Sequence, residues 1–324
     1  MKESGYYMIF LLCIAGIIVL LIITSLIGAK VLYNRTIPRQ EKVMVDMNEF
    51  ADEEKMAEYK KIMEPNKIWR DSIHFEEIKI TSTDGLKLTG YYLPAEKATN
   101  NILIGCHGYT SDAMQSYCSH AQFFHEMGFD VLIVDARAHG KSEGKYVGFG
   151  VLDRYDLLEW IKYVKKRFGN DENILLHGTS MGGTTVLMTS GFNEVQSYVK
   201  GIIADCGFTS PYDIFAHVLK KNYHLPPFPI MNINDIMCRK TAGYTLKEYS
   251  TLDALKTNKI PILFIHGSND KFVPVYMSKK NYDAAKCKKD ILIVKDAGHG
   301  SSYFENKPLY EGKEKEFVNR YFNI

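Results

Sequence analysis

Six short apolar runs rich in β-branched residues recur along the chain. They are NILIGCHG from Asn101, FDVLIVDA from Phe129, NILLHG from Asn173, VKGIIADC from Val199, IPILFIHG from Ile260 and DILIVKDAGH from Asp290. The stretches between them, such as 150–168 and 275–286, are long enough for helices. Strands that are apolar on both sides must be covered on both faces. The alternation therefore predicts an α/β fold with a mostly parallel twisted sheet and helices on either side. Upstream, HFEEIKITS and LKLTGYYLP flank Asp84-Gly85, the pattern of a hairpin turning on a D-G dipeptide. Several runs end in Gly, Asp or His at their carboxyl ends, the edge where open α/β sheets place their ligands.

The chain has 324 residues, enough for one such domain with an N-terminal appendage. From Met8 to Ala29 it carries no charge, and about 20 apolar residues are what a helix needs to cross a bilayer. That length favours a membrane helix over a cleaved leader, whose apolar region runs to roughly 7–15 residues. The expected layout is a short flank (1–7), a transmembrane helix (8–29), a juxtamembrane helical linker ending at Pro65 (30–65) and a catalytic domain (66–324). An apolar, aromatic insertion at about 208–258 is read as a small helical cap. Lys30, Arg35, Arg39 and Lys42 follow the helix, so the positive-inside bias favours a single-pass protein with a cytoplasmic catalytic domain.

A formal net charge of +2, with 40 basic and 38 acidic residues interspersed, excludes the electrostatic footprint of a nucleic-acid binder. Six cysteines without paired spacing read as ordinary thiols, not as a zinc site or a disulfide framework. No HExxH, P-loop or G-x-G-x-x-G element stands in a suitable context, so no metal or cofactor is expected.

The run NILLHG leads into Gly178-Thr179-Ser180-Met181-Gly182-Gly183, and a helix-like TTVLMTS follows. A GxSxG between strand and helix is a nucleophile elbow. A serine hydroxyl needs a base within hydrogen-bond reach and a third group to orient that base. Asp270, on the loop after IPILFIHG, and His299, after DILIVKDAGH, supply them in the order Ser, Asp, His. Asp205 at the end of VKGIIADC is the alternative acid, and Asp296 stands too close to His299 in sequence for the usual geometry. His139 and Asp135 are read as residues that hold the DARAHG turn by hydrogen bonds, and His177 as a packed strand-end residue.

Taken in order, HGYTSD, DARAHGKSEG, GTSMGG, GSNDKFVP and AGHGSSY make the chain from about Ile73 onward resemble the α/β-hydrolases. The likeness is to the bacterial membrane-anchored and eukaryotic Bem46-like, ABHD-type proteins. The resemblance implies Ser180, Asp270 and His299 as a catalytic triad, the backbone N–H groups of Met181 and Tyr109 as an oxyanion hole, and His107 as a residue that shapes the oxyanion loop. Ala138 departs from it, since relatives usually carry Gly there. The expected activity is acyl-enzyme hydrolysis of a carboxylic ester with an apolar, lipid-like or other small-molecule acyl group. A serine peptidase or amidase is one alternative. A catalytically silent, membrane-anchored interaction module is another, and would usually show the loss of a triad residue.

Overall fold

Alternate residues of each central strand face opposite ways, and here both faces are apolar. In the computed structural model, which describes residues 2–40, 53–169 and 171–322, Ile102 and Ile104 join one core while Leu103 joins the other. The strands are β1 (Glu76–Thr81), β2 (Lys87–Leu93), β3 (Asn101–Cys106), β4 (Asp130–Val134), β5 (Asn173–Thr179), β6 (Val199–Asp205), β7 (Ile262–Gly267) and β8 (Lys289–Val294). They form one eight-stranded sheet in the order β1-β2-β4-β3-β5-β6-β7-β8. The hairpin expected around Asp84-Gly85 forms, with Glu76 opposite Tyr92 and Thr81 opposite Lys87. β2 also runs antiparallel to β4, and the remaining pairs are parallel.

The helices are α1 (Lys2–Thr36), α2 (Glu53–Ser72), α3 (Ala113–Ser116), α4 (Cys118–Glu126), α5 (Asp153–Phe168), α6 (Met181–Thr189), α7 (Pro211–Tyr223), α8 (Ile230–Ala242), α9 (Thr251–Leu255), α10 (Tyr276–Ala284), α11 (Ser302–Glu305) and α12 (Lys307–Tyr321). One face of the sheet packs on α5 and α6 through Leu157, Trp160, Ile161, Val186 and Leu187. The other packs on α4 and α12 through Ala121, Phe124, Phe317 and Val318. The insertion at 208–258 is helical, containing α7, α8 and α9.

Helix boundaries at three places differ from those read in the sequence. The linker helix does not stop at Pro65, which lies inside α2. A proline there removes one intrahelical hydrogen bond, but tertiary contacts hold both sides of it. Tyr59 is buried and donates to Glu305 at 2.8 Å, Asn66 donates to Gln122 at 2.8 Å, and the Trp69 ring sits 6.1 Å from that of Phe75. The expected start of the catalytic domain at 66 thus falls within a helix. The first part of the predicted linker helix, 41–52, lies outside the described residues.

α1 overruns the apolar run at both ends. It is long and apolar enough to cross a membrane, and its apolar stretch is exposed. Its last turns behave differently, because Ala29, Leu32, Tyr33 and the following Ile37 are buried. Their three-to-four-residue spacing is that of one helix face. That face packs on α8, with the carbonyl of Ala29 accepting from Asn234 at 3.2 Å and the Tyr33 hydroxyl 2.5 Å from that of Thr241.

Candidate active site

Between β5 and α6 the chain turns so sharply that Ser180 takes φ 57° and ψ −113°. Backbone strain of this kind persists only where the surroundings enforce it. Here the Ser180 N–H donates to the carbonyl of Asp205 at 2.8 Å, tying the turn to the end of β6. The flanking glycines are required by close approach. A Cβ on Gly182 would stand 2.0 Å from the Cys106 carbonyl oxygen, and one on Gly178 would stand 2.3 Å from the Gly182 carbonyl carbon.

The loops after β7 and β8 bring Asp270 and His299 to this turn. The Ser180 Oγ lies 2.8 Å from His299 Nε2, and His299 Nδ1 lies 2.7 Å from Asp270 Oδ2. A carboxylate partner places the imidazole proton on Nδ1, which makes Nε2 the acceptor for the serine hydroxyl proton. Asp270 is buried and held on both oxygens. Its Oδ1 accepts the N–H groups of Phe272 and Val273 at 2.9 Å each, and its Oδ2 lies 3.1 Å from His266 Nε2. Burial alone would raise its pKa. The charge of His299 and the hydrogen bonds from His266 and His299 outweigh burial and hold the carboxyl well below the usual range. Asp270 is therefore ionised.

His266 was not singled out in the sequence. It is the penultimate residue of β7, four residues before Asp270, and its Nε2 also faces the Val273 carbonyl at 2.7 Å. Both neighbours of that nitrogen are acceptors, so it carries the proton, while Nδ1 meets Ser278 Oγ at 2.6 Å.

The loop after β3 forms the other wall, with Gly108 against Ser180. The N–H of Ala136 donates to His107 Nε2 at 3.0 Å, which places the ring proton on Nδ1, 2.7 Å from the Gly108 carbonyl. In a trans peptide the N–H points opposite the C=O. Fixing the Gly108 carbonyl therefore also fixes the direction of the Tyr109 N–H. Met181 begins α6, so its N–H has no acceptor within the helix. His139 supports the next residue, its Nε2 accepting from the Thr110 N–H at 3.2 Å and its Nδ1 donating to the Arg137 carbonyl at 2.9 Å. Asp135 holds the same region by accepting from the N–H groups of Ala113 and Lys141 at 2.9 and 2.8 Å. Ala138, the departure from the expected glycine, takes φ 59°, a left-handed conformation that glycine adopts at less cost.

The other candidates lie apart from this chain of hydrogen bonds. Asp205 accepts the hydroxyl of Tyr310 at 3.1 Å, and burial pushes its carboxyl up to about 6. Asp296 is exposed. His177 is fully buried, 2.8 Å from Glu314 and hydrogen-bonded to the Tyr117 hydroxyl. Among the described residues, two groups have potential metal-ligand atoms within 4.8 Å of one another: His120, His177 and Glu314, and Cys206, Asp270 and His299. In the first, burial pushes Glu314 up and both histidines down, which favours a neutral cluster in which His177 and Glu314 share a hydrogen bond. In the second, burial pushes the Cys206 thiol up, and Asp270 and His299 already serve each other.

The insertion at 208–258 touches the loop that carries Asp270. Its Lys221 donates to the Lys271 carbonyl, and the Phe272 ring stands 5.0 Å from that of His299. Met181, beside the serine, belongs to an apolar cluster with Phe149, Phe208, Ile214, Phe215 and the buried residues of α1.

Residues 115–324 match the model of the Prolyl oligopeptidase family. The uncharacterized protein YqkD of Bacillus subtilis is 31% identical over 74% of this chain and 78% of its own length. The uncharacterized membrane protein YNL320W of Saccharomyces cerevisiae is 22% identical over 65% of this chain and 68% of its own. Among solved structures, an esterase of Pyrococcus furiosus, Pf2001, superposes with a TM-score of 0.63 at 23% identity, covering 77% of this chain and 93% of that one.

Proposed function

The chain belongs to the prolyl oligopeptidase family of α/β-hydrolases, and on that footing we propose that it is a serine hydrolase acting through an acyl-enzyme on carboxylic esters. The observation that carries this reading is the continuous relay from Ser180 Oγ through His299 to an ionised, buried Asp270. In the reaction Ser180 Oγ attacks the ester carbonyl as its proton passes to His299 Nε2. Asp270 stabilises the resulting imidazolium, and the N–H groups of Tyr109 and Met181 receive the oxyanion. His299 then gives its proton to the departing alcohol, and a water activated by the same nitrogen releases the acid.

The apolar cluster beside Ser180 favours an apolar acyl group. A peptidase reading draws support from the family match, yet an exopeptidase would need charged groups to clamp a substrate terminus. Of the charged cap residues, Lys221 is engaged with the Lys271 carbonyl, and Asp235 accepts the Leu246 N–H at 2.6 Å. The exposed apolar stretch of α1 supports a membrane tether, and the basic residues after it favour a cytoplasmic catalytic domain.

The test is a comparison of kcat/KM for full-length protein in detergent on p-nitrophenyl esters of increasing chain length and on aminoacyl-nitroanilides. Esters exceeding anilides, with a rise beyond acetate, is the expected result. Preference for the anilides would replace the esterase reading with the peptidase one.

A further inference from the structure

The end of α1 touches the wall of the site directly. The hydroxyl of Tyr109 donates to the carbonyls of Arg35 at 2.9 Å and Thr36 at 3.2 Å, across more than 70 residues of sequence. Both carbonyls lie in the last turn of α1, where C=O groups have no intrahelical donor and carry the negative end of the helix dipole. Burial raises the phenol pKa, so the hydroxyl keeps its proton to donate. The Tyr109 ring packs between Phe149 and His139, with centroids 5.1 and 5.9 Å away.

A second route runs through the segment after α1. Val147 N–H donates to the Ile37 carbonyl and Arg39 N–H to the Lys145 carbonyl, both at 2.8 Å. The Arg39 guanidinium adds bonds to the carbonyls of Gly140 and Ser142, both at 2.7 Å. These partners, Gly140 to Val147, follow His139, the acceptor for Thr110 N–H. A third contact reaches the opposite wall. Arg35 donates to the Tyr223 hydroxyl at 3.1 Å, and Tyr223 ends α7, the helix whose Lys221 holds the Lys271 carbonyl beside Asp270.

We infer that the end of α1 and the segment after it, Ala29 to Arg39, form a positioning element of the catalytic site, acting on the oxyanion loop chiefly through the Tyr109 hydroxyl. The inference rests on the serine-hydrolase reading. His107 holds the peptide between Gly108 and Tyr109 from its carbonyl side, and the Tyr109 side chain pins its other end to α1. With the hydroxyl gone, this peptide can pivot, and misplacement by a fraction of an ångström weakens transition-state stabilisation more than substrate binding. The membrane tether and the catalytic wall are thereby one mechanical unit.

The test uses full-length protein in lipid nanodiscs. Wild type is first treated with a fluorophosphonate, whose reaction reports the serine relay itself. Tyr109→Phe, which keeps the ring and its packing, is then compared with wild type for kcat, KM, phosphonylation rate and melting temperature. Arg39→Ala serves as a second variant, acting through the 140–142 segment that follows His139 and without touching Tyr109. A fall in kcat of about 10-fold for Tyr109→Phe with KM within about 2-fold, a parallel fall in phosphonylation rate and a smaller kcat loss for Arg39→Ala are expected. If both variants keep kcat within about 2-fold and only melt earlier, the helix end merely packs and the inference is overturned. Failure of folded wild type to label overturns the serine-hydrolase reading, and this inference falls with it.

Discussion

The imidazole of His299 donates a hydrogen bond from Nδ1–H to the carboxylate of Asp270 across 2.7 Å. An amide at position 270 would present N–H to that nitrogen, forcing the imidazole proton onto Nε2 and removing the acceptor for Ser180. Asp270→Asn should therefore lower kcat by roughly 10³- to 10⁴-fold with little change in fold. Asp205→Asn should stay within about 3-fold, because that carboxyl faces Tyr310. Steady-state kinetics on a p-nitrophenyl ester decides the matter, and the reverse ranking would make Asp205 the acid.

Much of this arrangement was legible because its parts are local. Ser180, Asp270 and His299 each sit just past a strand end, and a β-rich run followed by its loop residue is visible within a dozen positions. The sheet could be read for the same reason, since two buried faces make each strand a continuous apolar run. What escaped depends on partners distant in sequence. Nothing near Tyr109 announces that its hydroxyl meets Arg35 and Thr36, and nothing near Arg39 points to Gly140 and Ser142. The buried face at Ala29, Leu32, Tyr33 and Ile37 was hidden because it continues a run already apolar on every side. Pro65 misled for the complementary reason: a local helix breaker was overridden by tertiary contacts of Tyr59, Asn66 and Trp69.

Ile37 is fully buried although it lies just past a helix that is mostly exposed. Truncating such a side chain costs about 2–5 kcal/mol through lost transfer energy and the cavity left behind. Ile37→Ala should lower the melting temperature in detergent by roughly 5–10 °C. Ile27→Ala, at a position 58% exposed, should leave it nearly unchanged. Equal melting temperatures for the two variants would show that the end of α1 does not belong to the core.

Acid should destabilise the loop that shapes the candidate oxyanion hole. Burial, aided by neighbouring His107, lowers the His139 pKa to about 4, while an unfolded histidine titrates near 6.5. Between those values the unfolded chain binds more protons than the folded one, so stability is fully present above about pH 6.5 and is lost as pH falls towards about 4. His139→Gln keeps an acceptor for Thr110 N–H but cannot titrate. The difference in melting temperature between pH 7 and pH 5 should be smaller for this variant than for wild type. An equal or larger difference would mean that His139 does not contribute to the acid sensitivity.

The nucleophilic role of Ser180 is tested most directly by fluorophosphonate labelling of full-length protein, followed by peptide mass spectrometry, with Ser180→Ala in parallel. The expected result is stoichiometric phosphonylation of Ser180 and none in the folded variant. Labelling at another serine, or no labelling of folded wild type, would contradict it.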